Sequence, residues 1–170
     1  IEPRVSKFPA ATYDMFPTLI DVANLDPDSI NRVHDGISLS EVFEGEPNRR
    51  HKPLGFRASD GRMWMDNDWK IVQNVSFTQE GFIIQPFELY NVVGDPGEEQ
   101  NLIELYPHRA ARMQAKLAQW SISVSRSALG ADYKEETVLP SGRVFDPTVD
   151  KRRRARMAQW AEEVREADRN

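Results

Sequence analysis

The chain of 170 residues contains no cysteine, which excludes disulfide staples, thiolate metal sites and a cysteine nucleophile, without fixing the compartment. Histidine is scarce too: His34, His51 and His108 stand alone, with no second ligand at i+4 and no His-Glu-x-x-His frame. They are expected as loop or surface residues rather than zinc ligands. No apolar run approaches the roughly 20 residues that span a bilayer, so this stretch is expected to be soluble with no membrane span. The opening Ile1-Glu2-Pro3 is followed by no charged-then-apolar leader, and the native start is expected upstream. An excess of positive charge is also missing, the net charge being −5, which removes the general reason to expect nucleic acid as a partner. The local run Lys151-Arg152-Arg153-Arg154 opposes the dipole of the helix it would open, and reads as a solvated face or a partner contact.

What is present is 39% hydrophobic and 29% charged residues, enough for one core with much of the length at the surface or in a tail. Thr12 or Asp14 is placed to cap a short helix in which Phe16, Leu19, Ile20 and Ala23 form an apolar stripe, with Pro17 in its first turn. Residues 24–31 read as a loop, Asp35-Gly36 as a turn, and 45–52 as a polar connection. Residues 54–58, 62–66, 69–74 and 87–93 are the strand candidates, joined early by turns at Asp60-Gly61 and at Asp66-Asn67-Asp68. The clearest periodicity starts at Pro107, where Ala110, Met113, Leu117, Trp120 and Val124 recur in steps of three and four. The expected fold class is α+β, a small antiparallel sheet of about four strands packed against a long C-terminal helix. The composition shifts after Gly130. Residues 1–133 are expected as the sheet-plus-helix region and 134–170 as a linker and helical extension, whose Met157, Trp160, Ala161 and Val164 repeat at helical spacing.

The stretch Glu88 to Leu102, ELYNVVGDPGEEQNL, joins a strand, an Asp-Pro turn and acidic residues that favour a helix start. Its wording resembles the C-terminal signature of the sulfatases of arylsulfatase type, through Glu88, Leu89, Tyr90, Asp95, Pro96, Glu98, Asn101 and Leu102. Three further segments follow the family's order: Tyr13-Asp14-Met15-Phe16-Pro17-Thr18-Leu19, Asp35-Gly36-Ile37-Ser38-Leu39 and Asp68-Trp69-Lys70-Ile71-Val72. Each is weak alone. Together they cover residues from about 1 to about 133, and the sheet-plus-helix reading agrees with the family's C-terminal subdomain.

The resemblance implies a sulfuric ester hydrolase in which a formylglycine attacks sulfur and a divalent cation, usually calcium, screens the sulfate oxygens. It also implies an exported (periplasmic or extracellular) or lysosomal setting. Formylglycine arises from Cys or Ser in Cys/Ser-x-Pro-x-Arg, and here no Ser is followed by x-Pro-x-Arg. The family's paired Asp run has no counterpart either. No catalytic residue, metal ligand or cofactor is therefore assigned to this chain, and its expected partners are the N-terminal catalytic domain of the same polypeptide and a sulfated substrate, carbohydrate by family. The alternative is a non-catalytic interaction or glycan-binding module with a sulfatase-like tail fold. A Cys/Ser-x-Pro-x-Arg motif in the upstream reading frame would favour the enzyme.

Candidate substrate contacts lie in Phe56 to Arg62, because in sulfatases the loop after the corresponding strand can approach the active-site mouth. Arg57 suits a second sulfate or carboxylate through bidentate hydrogen bonds, and Ser59 and Asp60 suit sugar hydroxyls. A plain hairpin turn with a surface arginine is the competing reading. Glu98 and Glu99 are read as helix-start charges rather than a catalytic pair, since adjacent helical side chains do not face each other. Lys70 is read as a snorkelling strand lysine, with sulfate contact as the alternative. Trp64, Trp69, Trp120 and Trp160 are read as packing residues, with an aromatic sugar platform as the alternative for one of them.

Overall fold

A computed structural model describes residues 3–26, 33–58, 61–79, 81–129, 131–132 and a set of residues between 158 and 169. It divides into two compact units, Ile1–Leu117 and Ala118–Asn170. In chain order the first unit holds a 3-10 turn (Thr12–Asp14), α1 (Met15–Val22), α2 (Ser40–Glu44), and the strands β1 (Leu54–Ala58), β2 (Gly61–Asp66), β3 (Trp69–Thr78) and β4 (Gly81–Asn91). The long helix α3 spans Pro107–Ala128. All four expected strands form, in one antiparallel sheet of order β1-β2-β3-β4.

The register sets what lies on each face, because directly opposed residues share a side and side chains alternate along a strand. One cross-strand row runs Gly55, Trp64, Ile71, Leu89, and Ile71 and Leu89 are fully buried. On this face Trp69 meets Tyr106 edge-on at 5.0 Å and Arg109 at 4.3 Å, which brings the start of α3 onto the sheet. Ala110, Met113 and Leu117 are buried as expected. The opposite face carries Leu54, Phe56 and Tyr90, with Tyr13 against Phe56 at 5.5 Å.

Two details of β4 were not foreseen. Between the pairs Gln73–Phe87 and Val75–Ile84 the register shifts, leaving one residue on β3 against two on β4, a bulge that includes Pro86, which has no N–H to give a ladder. Beyond it the hairpin runs on as an arm. Its opposed Phe77 and Phe82 and the neighbouring Ile83 and Ile84 are all exposed. The outer edge of β4 is closed at Leu89, whose N–H donates to Asn101 Oδ1 (3.1 Å) and whose carbonyl accepts from the Leu102 N–H (2.7 Å). A sealed edge cannot template further strand pairing.

The sequence expectation for α1 is overturned. Phe16 and Leu19 are 54% and 60% exposed, and Met15 and Val22 are exposed as well, whereas Asp14, Pro17 and Thr18 are buried. The inward stripe is polar. Asp14, Thr18 and Asp21, at i, i+4 and i+7, bind the passing segment 37–40: Ile37 N–H donates to Asp14 Oδ1 (2.9 Å), Leu39 N–H to Thr18 Oγ1 (2.9 Å), and the Ser38 and Ser40 hydroxyls to Asp21. Gly36 makes this approach possible, since a Cβ there would lie 2.2 Å from the Tyr13 carbonyl oxygen. Asp14 also reaches back to accept the Ala11 N–H (2.8 Å), the half of a capping box contributed by the third residue.

Asp14 is fully buried and its partner Arg50 is 1% exposed; two parallel hydrogen bonds of 2.9 and 2.8 Å join them. The same guanidinium donates to the Lys52 and Pro9 carbonyls, and the Arg50 backbone exchanges two hydrogen bonds with the Asn67 side chain in the β2–β3 turn. Residues 45–52, expected as a plain polar connection, thus contain the most buried cation of the described residues.

In the second unit the buried α3 positions are Ser121 and Ser125, and Ser125 Oγ donates to Glu163 (3.0 Å). The expected stripe put Trp120 and Val124 inward, but both are half-buried. From Met113 the buried positions advance in steps of four regardless of hydrophobicity. Glu162 pairs with Arg165 and Arg169. The expected linker from 134, the basic run at 151–154 and Met157, Trp160, Ala161 and Val164 lie outside the described residues. Among the described residues no helix is long and apolar enough to cross a membrane.

Breaking the Asp14–Arg50 pair should be costly. Asp14→Ala strands a buried guanidinium and should lower unfolding free energy by about 3–5 kcal/mol, read by urea titration, while Asp21→Ala at the exposed end of the polar stripe should have a much smaller effect. Burial alone would raise the Asp14 pKa, but the Arg50 guanidinium and the two backbone N–H donors outweigh it and hold it below the ordinary 3.8. A folded-state pKa below the unfolded one gives stability that is present above about pH 4 and lost as pH falls through the folded value. Asp14→Asn should flatten that acid limb; an unchanged limb would remove Asp14 as its source.

Candidate functional site

Of the predicted substrate contacts, Arg57 lies on β1, half-buried, directly opposite Arg62 on β2; Ser59 and Asp60 lie outside the described residues. Two like charges facing across strands repel. Arg62 is held in place by two hydrogen bonds to Gln73 Oε1 (3.0 and 2.9 Å) and by the Phe87 ring, 5.7 Å from its guanidinium carbon. Arg62 was the closing residue of the motif segment but was not singled out, and two guanidinium groups on one face of the same hairpin make an anion-favouring end of the sheet.

The opposite end, roughly 13 Å away along β2 at about 3.3 Å per residue, carries a second polar feature that sequence reasoning did not find. Asn48, Arg49, Asp66, Asn67, Asp68, Trp69 and Arg109 line a concavity of about 270 Å³. Its chemistry comes from three places far apart in sequence: the polar connection before β1, the β2–β3 turn and the first turn of α3. Asn67 adopts a positive φ of 54°, which asparagine tolerates better than most residues, and its side chain bonds Arg50 and Asp66. Asp66 pairs with Arg49 at 3.1 Å. Arg109 lies over Trp69, so the alternative of Trp69 as an open sugar platform fails on this ring face.

The signature residues have structural positions. Glu98 is not in a helix: residues 95–100 form turns, Glu98 has φ 56°, and helix α3 begins only at Pro107. Its carboxylate binds Lys70 at 2.6 and 2.8 Å. The helix-start reading of Glu98 and Glu99 therefore gives way to a turn, as Pro96-Gly97 should have suggested. Lys70 is neither a simple snorkelling lysine nor an open sulfate contact. Asp95 accepts the Glu99 and Gln100 N–H groups (3.1 and 2.9 Å), and the Gln100 and Glu99 donors hold its pKa below the ordinary value. Asn101 Oδ1 accepts from Leu89 and from Ile103. Asn91 Oδ1 accepts from Val93 and Gly94.

His34, His51 and His108 are exposed. Among the described residues no three His, Asp or Glu side chains group as a metal site, so the cation implied by the sulfatase resemblance does not fit this donor set and no chemical step is derived through it.

No protein-family model matches the chain, and no curated protein sequence matches it. Among solved structures, that of BT4656 in complex with its substrate D-glucosamine-2-N,6-O-disulfate is similar over 64% of this chain, with 20% sequence identity and a TM-score of 0.45. The chain spans 23% of the length of that neighbour.

The Lys70–Glu98 pair joins two of the signature segments, and a double-mutant cycle with Lys70→Met and Glu98→Gln should return a coupling of about 1 kcal/mol, the upper range for a partly exposed ion pair. Additive effects would mean the two segments are not linked through these side chains.

Proposed function

We infer that the chain is the C-terminal subdomain of a sulfatase that hydrolyses a sulfate ester of a carbohydrate by a formylglycine and divalent-cation mechanism whose residues lie upstream of this chain. One observation carries the reading. Segments on which the sequence resemblance rests pair with one another in space: Asp14 and Thr18 with Ile37 and Leu39, and Lys70 with Glu98. Chance matches strung along a chain have no reason to meet.

The outward apolar face of α1 supports the subdomain role. Met15, Phe16, Leu19 and Val22 are presented by a helix already fixed on its polar side, and a contiguous exposed apolar patch marks a contact surface. In this reading the catalytic domain of the same polypeptide covers it. The chain's own residues then hold the fold together and shape the substrate rim, with Arg57 and Arg62 facing an anionic substituent away from the sulfate being cleaved.

The isolated chain should show no turnover of an aryl sulfate, and hydrolysis that is lost on mutating one of its residues would overturn the proposal. Joined to its upstream sequence, Phe16→Ser with Leu19→Ser should lower the melting temperature and the yield of active enzyme, while the same changes in the 170-residue chain leave the melting temperature unchanged or raise it. The reverse pattern would assign the face to the chain's own core. Arg57→Ala in the complete enzyme should slow turnover of a polyanionic sugar sulfate by a factor of roughly 10–100, equivalent to a charge-assisted hydrogen bond, and spare a small aryl sulfate. Equal kinetics on both substrates would return Arg57 to an ordinary surface residue.

A further inference from the structure

We propose that the concavity at the β2–β3 turn is a separate binding site for an acidic sugar, with Arg109 receiving the sulfate or carboxylate and Asn48, Asp66 and Asp68 receiving hydroxyl groups. The inference does not depend on the sulfatase reading and survives if no sulfate ester is hydrolysed.

The argument starts from Arg109. Its guanidinium is placed by the Trp69 ring, 4.3 Å away, and Tyr106 braces that ring from the edge at 5.0 Å. An aromatic ring positions a cation without supplying a carboxylate oxygen, so this arginine is oriented while keeping its capacity for an anion. Lysine in its place would be less defined, since only the planar fork can engage two oxygens of sulfate or carboxylate together.

The carboxylates narrow the ligand further. Asp66 and Asp68 share the concavity with Arg49 and Arg109, so its formal charge balances and a bare anion such as phosphate would meet two carboxylates. A ligand carrying hydroxyl donors as well as one acidic group turns those carboxylates into acceptors. Asp66 is turned into position by Arg49 at 3.1 Å and by Asn67 at 2.8 Å, both on the same oxygen Oδ1, which leaves Oδ2 for a hydroxyl. Preorganised polar groups of this kind reduce the ordering cost of binding. At about 270 Å³ the space lies just below the usual range of ligand pockets, roughly 300–1,000 Å³. It suits one sugar ring rather than an extended chain.

The test is an NMR titration of the 170-residue chain with N-acetylglucosamine 6-sulfate, glucuronic acid, neutral N-acetylglucosamine and inorganic sulfate. Saturable shifts of the Trp69 indole and the Asn48 side-chain amide with either acidic sugar, and affinity roughly tenfold weaker for the neutral sugar and for sulfate alone, are expected. The tighter of the two acidic sugars identifies the acid group. Arg109→Ala should weaken binding roughly tenfold and Asn48→Ala, an exposed change that leaves the fold intact, roughly threefold. No saturable shift, equal binding of the neutral sugar, equal binding of inorganic sulfate, or indifference to Asn48→Ala would each overturn the proposal, the last of these even where Arg109→Ala fails to fold.

Discussion

The first unit is organised by the buried pair of Asp14 and Arg50. A carboxylate and a guanidinium withdrawn from water are costly, and the cost is recovered only where the remaining lone pairs and N–H groups are satisfied. Here they are. Asp14 accepts two backbone N–H groups besides the arginine, and Arg50 donates to two carbonyls besides the carboxylate. Each of those bonds ends on a different stretch of chain, so the N-terminal segment, the turn before α1, the segment at 37 and the approach to β1 can satisfy the pair in only one arrangement. Two well-packed apolar residues could be as stable; they would not select one arrangement in the same way.

Anchoring α1 by polar groups has a consequence for its other side. A short amphipathic helix ordinarily spends its apolar stripe on its own core, and its polar face meets solvent. With Asp14, Thr18 and Asp21 occupied by residues 37–40, the apolar stripe is left outside. The β3–β4 arm repeats the situation, since a two-stranded hairpin is marginal by itself and this one exposes Phe77, Phe82, Ile83 and Ile84 past its bulge. Two elements thus present apolar outer surfaces, the kind of surface that marks contact regions.

The antiparallel sheet, its first two turns and the long helix were legible in the sequence because alternation, Asp/Asn/Gly turns and 3.6-residue periodicity are local signals. What failed was every inference in which polar residues do the packing. Periodicity assigns the apolar stripe to the inside, so α1 was placed the wrong way round and α3 was carried on through Trp120 and Val124 where Ser121 and Ser125 are buried. Arg50 gave no signal at all: within Asn48-Arg49-Arg50-His51 nothing distinguishes the buried arginine from its exposed neighbour, because its partner Asp14 is 36 residues away. Glu98 was misread for a different reason. Acidic residues after Asp-Pro suit a helix start or a turn equally, and the ion pair to Lys70 that decides the matter depends on sheet register. Of the candidate sites, Arg57 was proposed from the family's loop order, whereas the concavity at the other end needed three distant segments brought together.

The same distribution of polar groups sets what the signature residues do in this fold. Asp14, Asp95, Glu98, Asn91 and Asn101 are engaged with backbone donors, Arg50 or Lys70, and the Asp14 and Asp95 carboxyls, held below their ordinary pKa, are poor general acids and weak bases. Residues that resemble a hydrolase signature therefore act here as fasteners between elements. Each end of the sheet also carries an arginine set by neighbouring side chains, Arg62 by Phe87 and Gln73 at one end and Arg109 by Trp69 at the other. An arginine that does not titrate near neutral pH cannot exchange a proton with a reacting group, but it orients anions well. Recognition of anions is the chemistry to which these arginines are suited.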